Sequence, residues 1–304
     1  MCPGQGAQRV GMGRDLAERY PAARETFEAI DDALGVALSR LMWEGPEDEL
    51  TLTHNTQPAI LAHSAAVWSV VKDRVGPEVK AAAGHSLGEY SAHVTAGTLA
   101  PTAAARLVRR RGELMYGAGQ ARPGAMAAVL GLATEQVDAA CNEASASDGV
   151  AVAANLNAPD QTVISGDPPA VARAGEGCKA RGARRVLPLK VSGAFHSPLM
   201  APAVDGLHDA LTDVDFGNPA FPVVANASGQ PVRTGLDAKR LLLDQLTAPV
   251  RWVACMRAAA ELAPGATFVE IGPGGVLAGL LKRIVPGANA VTLGTAAEVE
   301  KFLG

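Results

Sequence analysis

Gly84-His85-Ser86-Leu87-Gly88 stands between an apolar run, Val79-Lys80-Ala81-Ala82-Ala83, and a helix-forming stretch, Glu89-Tyr90-Ser91-Ala92-His93-Val94-Thr95-Ala96. A strand that turns at once into a helix through G-x-S-x-G is a nucleophile elbow. Its two glycines let strand and helix backbones pass close together, and its serine is lifted onto a strained turn with the hydroxyl exposed. Ser86 is therefore the candidate nucleophile. The amides after it open a helix, so the Leu87 N–H points to where an acyl oxyanion would form. The same pentapeptide arises by chance in chains rich in glycine and alanine, and the strand and helix flanks are what favour the elbow here.

At 304 residues the chain has room for one large α/β body with an insertion, or for two smaller domains. Hydrophobic residues make up 48% and charged residues 19%, the balance of a globular protein rather than a disordered or fibrous one. A net charge of −4 argues against a nucleic-acid protein, so an anionic partner must be met by a local basic patch. Cys2, Cys141, Cys178 and Cys255 lack C-x-x-C spacing and read as buried packing residues. None of His54, His63, His85, His93, His196 and His208 forms an H-E-x-x-H pair, so no metal is expected. Neither Gly4-Gln5-Gly6 nor Gly272-Pro273-Gly274 completes a dinucleotide fingerprint, because Arg9 and Leu277 stand at the third glycine position. No run reaches the roughly 18 apolar residues of a membrane helix, and the first residues do not read as a signal peptide, which makes the cytoplasm the expected address.

Along the chain, Asp15 to Leu34 carries an interrupted amphipathic pattern. Thr56-Gln57-Pro58 starts a helix to about Lys72, and Thr102 to Ala118 is a further helix behind Pro101. The rhythm changes after Ala121-Arg122-Pro123-Gly124. Ala125–Leu130 reads as a strand, Thr134–Ala144 as a helix capped by Thr134, Val150–Leu156 and Gln161–Ser165 as strands, Pro168–Ala180 as a helix and Arg184–Val191 as a closing strand. The order βαββαβ is that of a ferredoxin-like unit, which places a small inserted domain at 123–191 between two parts of a larger body, 1–122 and 192–304. In the last part we expect helices at Pro198–Leu211, Ala238–Leu246 and Arg251–Leu262, strands at Pro222–Asn226 and Thr267–Ile271, and a final turn and helix ending at Ile284.

A serine nucleophile needs a base. His85 adjoins it in sequence, but neighbours on an elbow point in different directions, so His85 is read as packing. His196 lies in Val191-Ser192-Gly193-Ala194-Phe195-His196-Ser197-Pro198, a loop after an expected strand, where catalytic histidines sit in α/β folds. It is the candidate base, against the plain alternative of a surface histidine. No Asp or Glu stands out as a third member, which leaves room for a Ser-His dyad oriented by a backbone carbonyl. Arg109, Arg110 and Arg111 cannot share one helix face. One that turned inward would need an anion, and its planar fork suits a carboxylate.

At this point the sequence resembles one family: the malonyl-CoA:acyl carrier protein transacylases of fatty acid synthesis and the related acyltransferase domains of polyketide synthases. The landmarks are Pro3-Gly4-Gln5-Gly6-Ala7-Gln8, Gln57-Pro58-Ala59, the elbow with Glu89-Tyr90, Arg111-Gly112 with Met115, and Gly124-Ala125-Met126. Asn155-Leu156-Asn157, Gly193-Ala194-Phe195-His196, Asp244-Gln245-Leu246 and Glu270-Ile271-Gly272-Pro273 follow in family order. The resemblance implies an α/β-hydrolase-like large domain with a ferredoxin-like insert. It implies Ser86 as acyl carrier, His196 as base oriented by the Gln245 carbonyl, Gln5 and Leu87 N–H groups as oxyanion hole, and Arg111 as clamp for a free carboxylate, with Met115, Phe195 and Asn155 around the substrate. Malonyl-CoA and an acyl carrier protein are the implied partners, with no cofactor, no nucleic acid, no membrane, and a monomeric enzyme.

In the related polyketide domains a GAFH- or HAFH-like sequence goes with malonyl and a YASH-like one with methylmalonyl, so Phe195 and Leu87 favour the unbranched acyl group. A typically acidic carrier would meet Arg181, Arg184, Arg185, Lys282 or Arg283. Family members usually carry a short apolar strand ahead of the P-G-Q-G turn, whereas Met1 and Cys2 alone precede Pro3 here. We therefore expect either a start a few codons further upstream or a sheet without a central strand, with the position of Gln5 affected. A serine esterase or thioesterase would share the elbow, and an impaired relative kept for carrier binding is the third reading.

Overall fold

The computed structural model describes residues 1–146, 149–191 and 193–304. Residue 192, with which the last part of the larger body is expected to begin, lies outside the described residues.

The strands are β1 (Ala82–Ala83), β2 (Ala125–Leu130), β3 (Ala151–Ala158), β4 (Gln161–Gly166), β5 (Arg185–Pro188), β6 (Val223–Val224), β7 (Pro231–Val232), β8 (Phe268–Ile271) and β9 (Ala290–Leu293). Among the described residues they form a mixed α/β architecture of three sheets. In the first, β1 runs parallel to β6, which pairs antiparallel with β7, and in another β8 runs parallel to β9. The chain's first residues stand between these two sheets. Cys2 N donates to Ala83 O at 2.9 Å and His85 N to Cys2 O at 3.0 Å, while Ile271 N donates to Met1 O at 2.9 Å. The Met1 ammonium completes the bridge by donating to Val269 O at 2.6 Å. Met1 and Cys2 thus join the two sheets, and beside them a cavity of about 610 Å³ extends between β1 and β8, walled by Trp68, Val71, Met256 and Ala259.

The third sheet, in spatial order β3-β4-β2-β5, is antiparallel throughout and bulged in β3 around Asn155. Helices Thr134–Ser145 and Pro168–Ala180 pack with it around a core of its own that includes Val129, Val137, Cys141, Ile164 and Cys178. Backbone pairing joins this sheet to the larger body: Leu156 N donates to Val250 O and Val250 N to Ala154 O. The larger core gathers around helix Thr53–Val75, buried on nearly every side, with helices Leu87–Thr95 and Pro101–Ala121 beside it.

Several boundaries differ from the sequence reading for local reasons. Helix Thr53–Val75 begins ahead of the expected Thr56 and runs past Lys72, so Pro58 lies inside it and forfeits one backbone bond near the start. Thr134 does not cap its helix. Ala133 holds the cap position, and Thr134 Oγ1 meets Thr162 Oγ1 at 3.1 Å instead. The single helix expected over 198–211 is a 3-10 segment, Pro198–Ala203, followed by an α-helix, Val204–Thr212, because Pro202 supplies no N–H inside it. Helices Leu38–Glu44, Glu47–Thr51 and Ala296–Leu303 and strands β7 and β9 are additions to the expected order. All four cysteines are free and buried.

Candidate active site

The elbow is built by close backbone approach. A Cβ on Gly84 would lie 1.8 Å from Gly88 O, and one on Gly88 would lie 2.1 Å from Cys2 O, distances that only glycine avoids. Between them Ser86 takes φ 52° and ψ −109°, a backbone region that L-residues rarely occupy. Ser86 N is held by Asn226 Oδ1 at 2.7 Å, and Asn226 Nδ2 returns a bond to Gly84 O at 2.8 Å. Asn226 therefore braces both ends of the turn from just beyond β6.

The serine hydroxyl meets His196, with Ser86 Oγ 2.7 Å from Nε2. On the far side of the ring Nδ1 lies 2.9 Å from Gln245 O. A carbonyl only accepts, so Nδ1 carries the proton and Nε2 presents a lone pair to the serine. The carbonyl is available because Gln245 terminates helix Gly235–Asp244, which Thr234 caps at its start, and the last carbonyls of a helix have no partner within it. Burial, then the nearby Arg111 charge, push the His196 imidazole down to about 3, against the opposing bond to Gln245. It is a neutral acceptor at pH 7.

Of the three consecutive arginines, Arg111 turns inward and is 1% exposed. Arg109 and Arg110 share Glu113 at the surface, and Arg109 also donates to Asn55. The Arg111 guanidinium donates from Nη1 to Gln57 Oε1 at 2.7 Å, and from Nη2 to Gln245 Oε1 at 2.9 Å and Ser86 Oγ at 3.1 Å. It lies over the Tyr90 ring, 5.6 Å from its centroid. Every hydrogen-bond acceptor around it is neutral. Such a guanidinium, taken out of water and given no carboxylate, can receive one from a ligand.

The remaining expected residues fall in different places. Leu87 begins the elbow helix. Gln5 follows Gly4, which presses on the elbow so closely that a Cβ there would be 2.4 Å from His85 O. Met115 is buried and its sulfur accepts from Gln57 Nε2 at 3.4 Å; Phe195, buried too, precedes the base. Asn155 lies opposite Val250, whose backbone bonds to its neighbours Ala154 and Leu156; among the described residues its buried Oδ1 has no partner and it makes no hydrogen bond to Ser86, His196 or Arg111. Asn157, two positions on, reaches toward the elbow instead: its Oδ1 lies 2.8 Å from His85 Nε2. The sequence reading gave no role to Asn226, Glu89 or Gln57, all of which brace the site. Gln57 and Glu89 stood in quoted motifs, while Asn226 closed an expected strand and carried no local signal. Among the basic candidates, Arg181 pairs with Glu143 and Arg283 with Asp160.

No helix is long and apolar enough to cross a membrane among the described residues. Residues 1–298 match the acyl transferase domain model. The chain is 44% identical to the malonyl CoA-acyl carrier protein transacylase of Bacillus subtilis over 93% of its own length and 88% of that protein. It is likewise 44% identical to the Escherichia coli K12 protein of the same name, over 96% and 94% of the two chains. Among solved structures, the acyl-carrier-protein S-malonyltransferase of Bartonella henselae superposes with a TM-score of 0.94 at 43% identity, covering 99% of this chain and 96% of that one. A malonyl-transacylase solved in complex with its type II PKS acyl-carrier protein superposes at 0.93 and 44% identity, over 98% and 96%. The chain belongs to the acyl transferase domain family, among the malonyl CoA-acyl carrier protein transacylases.

Proposed function

We propose that the protein moves malonyl groups from malonyl-CoA to the phosphopantetheine thiol of an acyl carrier protein, through a malonyl ester on Ser86. The observation that carries this reading is the meeting of three groups: Ser86 Oγ is 2.7 Å from His196 Nε2 and 3.1 Å from Arg111 Nη2. A nucleophile with a base needs only an acyl group. The buried guanidinium beside them asks for an acyl group that carries its own carboxylate, which an esterase for neutral substrates would not require.

His196 Nε2 takes the proton as Ser86 Oγ attacks the thioester carbonyl, and the oxyanion is received by the N–H groups of Leu87 and Gln5. The carbonyl re-forms, the C–S bond breaks, and the proton passes from His196 to the departing CoA sulfur. The carrier thiol then gives its proton to His196 and attacks the ester, and Ser86 leaves with that proton. Arg111 holds the free carboxylate through both halves, while Met115, Phe195 and Asn155 bound the acyl pocket. The ester must outlast water, and with Arg111 fixing the acyl group, limited solvent access favours the thiol.

On this reading the larger body, 1–122 and 192–304, is α/β-hydrolase-like, and 123–191 is a ferredoxin-like insert, which the spatial order β3-β4-β2-β5 supports. The protein acts as a cytoplasmic monomer without a cofactor and supplies fatty acid synthesis. The relative solved with its type II PKS carrier favours a second destination, a polyketide carrier. Intact-mass spectrometry after brief incubation with malonyl-CoA, then with either holo carrier, tests both. The expected result is a malonyl adduct, absent in Ser86→Ala, that moves to one carrier faster than to the other. An adduct that decays to malonate without reaching any carrier would make the protein a hydrolase.

A further inference from the structure

Glu89 is fully buried beneath the elbow, one helical turn from Ser86, and it bonds to neither the serine hydroxyl, His196 nor Arg111. Its Oε2 accepts from Asn226 N at 3.0 Å and from Gln245 Nε2 at 2.7 Å, while Oε1 has no partner among the described residues. Gln245 is the shared member of two chains of contact. Its main-chain oxygen orients His196, its Nε2 donates to Ser86 O at 2.9 Å as well as to Glu89, and its Oε1 accepts from Arg111 Nη2 at 2.9 Å.

A primary amide has a donor end and an acceptor end, and the surroundings decide which way it points. The Ser86 carbonyl and Glu89 Oε2 both accept, and the guanidinium only donates. Turned over, the Gln245 amide would set oxygen against two acceptors and NH₂ against a cation. Glu89, whose contact with the amide is the shortest of the three, adds to the Ser86 carbonyl and the guanidinium in favouring the observed orientation. It does this without occupying the guanidinium. A carboxylate bonded directly to Arg111 would compete with an incoming ligand.

We propose that Glu89 is a positioning residue that holds the Gln245 amide with its oxygen toward Arg111, and so sets the preference of the site for a carboxylate-bearing acyl group over a neutral one. The inference rests on the reading of Arg111 given above. Removing Glu89 should therefore damage malonyl transfer more than acetyl transfer, through KM for malonyl-CoA.

The test is kcat/KM for malonyl-CoA and for acetyl-CoA with the wild type, Glu89→Gln and Glu89→Ala. The malonyl-to-acetyl ratio should fall about tenfold or more in Glu89→Ala. It should fall less in Glu89→Gln, which keeps an acceptor oxygen. Equal slowing of both substrates in a folded Glu89→Ala variant would make Glu89 a structural prop and overturn the proposal. Should that variant not fold, Gln245→Met fills the volume without an amide and keeps the main-chain oxygen for His196. The ratio must then drop, and adding Glu89→Gln must not lower it further, since the two side chains act in one line. Independent, additive losses would overturn the proposal. A wild type that transfers no malonyl at all would instead overturn the proposed function, and this inference with it.

Discussion

Ser86 and His196 lie 110 positions apart, their Oγ and Nε2 meet at 2.7 Å, and they are the two non-glycine residues with positive φ among the described residues, at 52° and 55°. The unusual backbone belongs to the two residues whose side chains meet. Backbone conformations of this kind cost about 1–3 kcal/mol each and persist where the surroundings over-determine them. Here the surroundings are Asn226 under Ser86 and the Gln245 carbonyl behind His196.

That strain predicts an asymmetry between two inactive variants. Ser86→Gly removes the Cβ that makes φ 52° unfavourable, whereas Ser86→Ala keeps it. Both should lose the malonyl adduct, and Ser86→Gly should unfold about 1 kcal/mol later than Ser86→Ala in urea. Equal midpoints would mean that Ser86 is not strained.

Gly88 has no such tolerance. Its added Cβ would sit 2.1 Å from Cys2 O and 2.8 Å from Pro3 O, both backbone atoms with no side-chain freedom to move aside. Gly88→Ala should therefore separate the Met1–Pro3 segment from the elbow, and the protein should express largely as aggregate or unfold at least several degrees below the wild type.

Arg111→Ala should lower kcat/KM for malonyl-CoA by about 100-fold or more, the usual consequence of removing one side of a buried charge pair, and should shift the preference toward acetyl-CoA. Arg111→Lys should not restore it. A single ammonium cannot bridge Gln57 and Gln245, which lie 2.7 and 2.9 Å from different guanidinium nitrogens, and still hold a carboxylate. Retained malonyl preference in either variant would remove Arg111 from substrate recognition.

Acid should destabilise the fold at a mildly low pH. Burial pushes His63 down to about 4 and His93 and His196 down to about 3. Unfolded, each titrates at about 6.5, so below that pH the unfolded chain takes up protons that the folded protein refuses. Glu89 opposes them, because burial raises it to about 7 and the folded state then holds its proton while the unfolded carboxylate is still ionised. These four groups together take up about two protons on unfolding and contribute a loss of roughly 2–3 kcal/mol per pH unit between pH 6 and 4.5, and His85, also pushed down by burial, adds in the same direction. Denaturant melts across this range would show it as a falling midpoint. A flat profile would mean that these imidazoles are not buried as neutral groups.

Phe195, buried next to the base, is the candidate limit on the acyl α-carbon. Phe195→Ser should raise the methylmalonyl share in a competition with malonyl-CoA, and an unchanged ratio would place the discrimination elsewhere.

The elbow was legible because everything it needs is local: two glycines, a serine, and flanks of the right kind within one short stretch. The βαββαβ order was legible for the same reason, since Pro, Gly and changes of period mark each of its boundaries. Asn226 was not, because its bond to Ser86 N spans 140 positions and an asparagine at a strand end is ordinary by itself. Within Asn155-Leu156-Asn157 the bulge in β3 shifts the register, and the contact of Asn157 with His85 depends on that bulge and on a partner 72 positions away. Strand β9 and helix Ala296–Leu303 follow a Pro-Gly turn that reads like an ending, and their place is set by pairing with β8 and by packing on distant helices.

The pairing of β3 with Val250 has a mechanical consequence. Val250 follows Gln245 closely in the chain, and its N–H and C=O are both engaged by the small sheet. The carbonyl that holds the His196 ring is thus leashed to that sheet. The histidine's anchor and the small sheet are therefore one mechanical unit, and neither can be repositioned without the other.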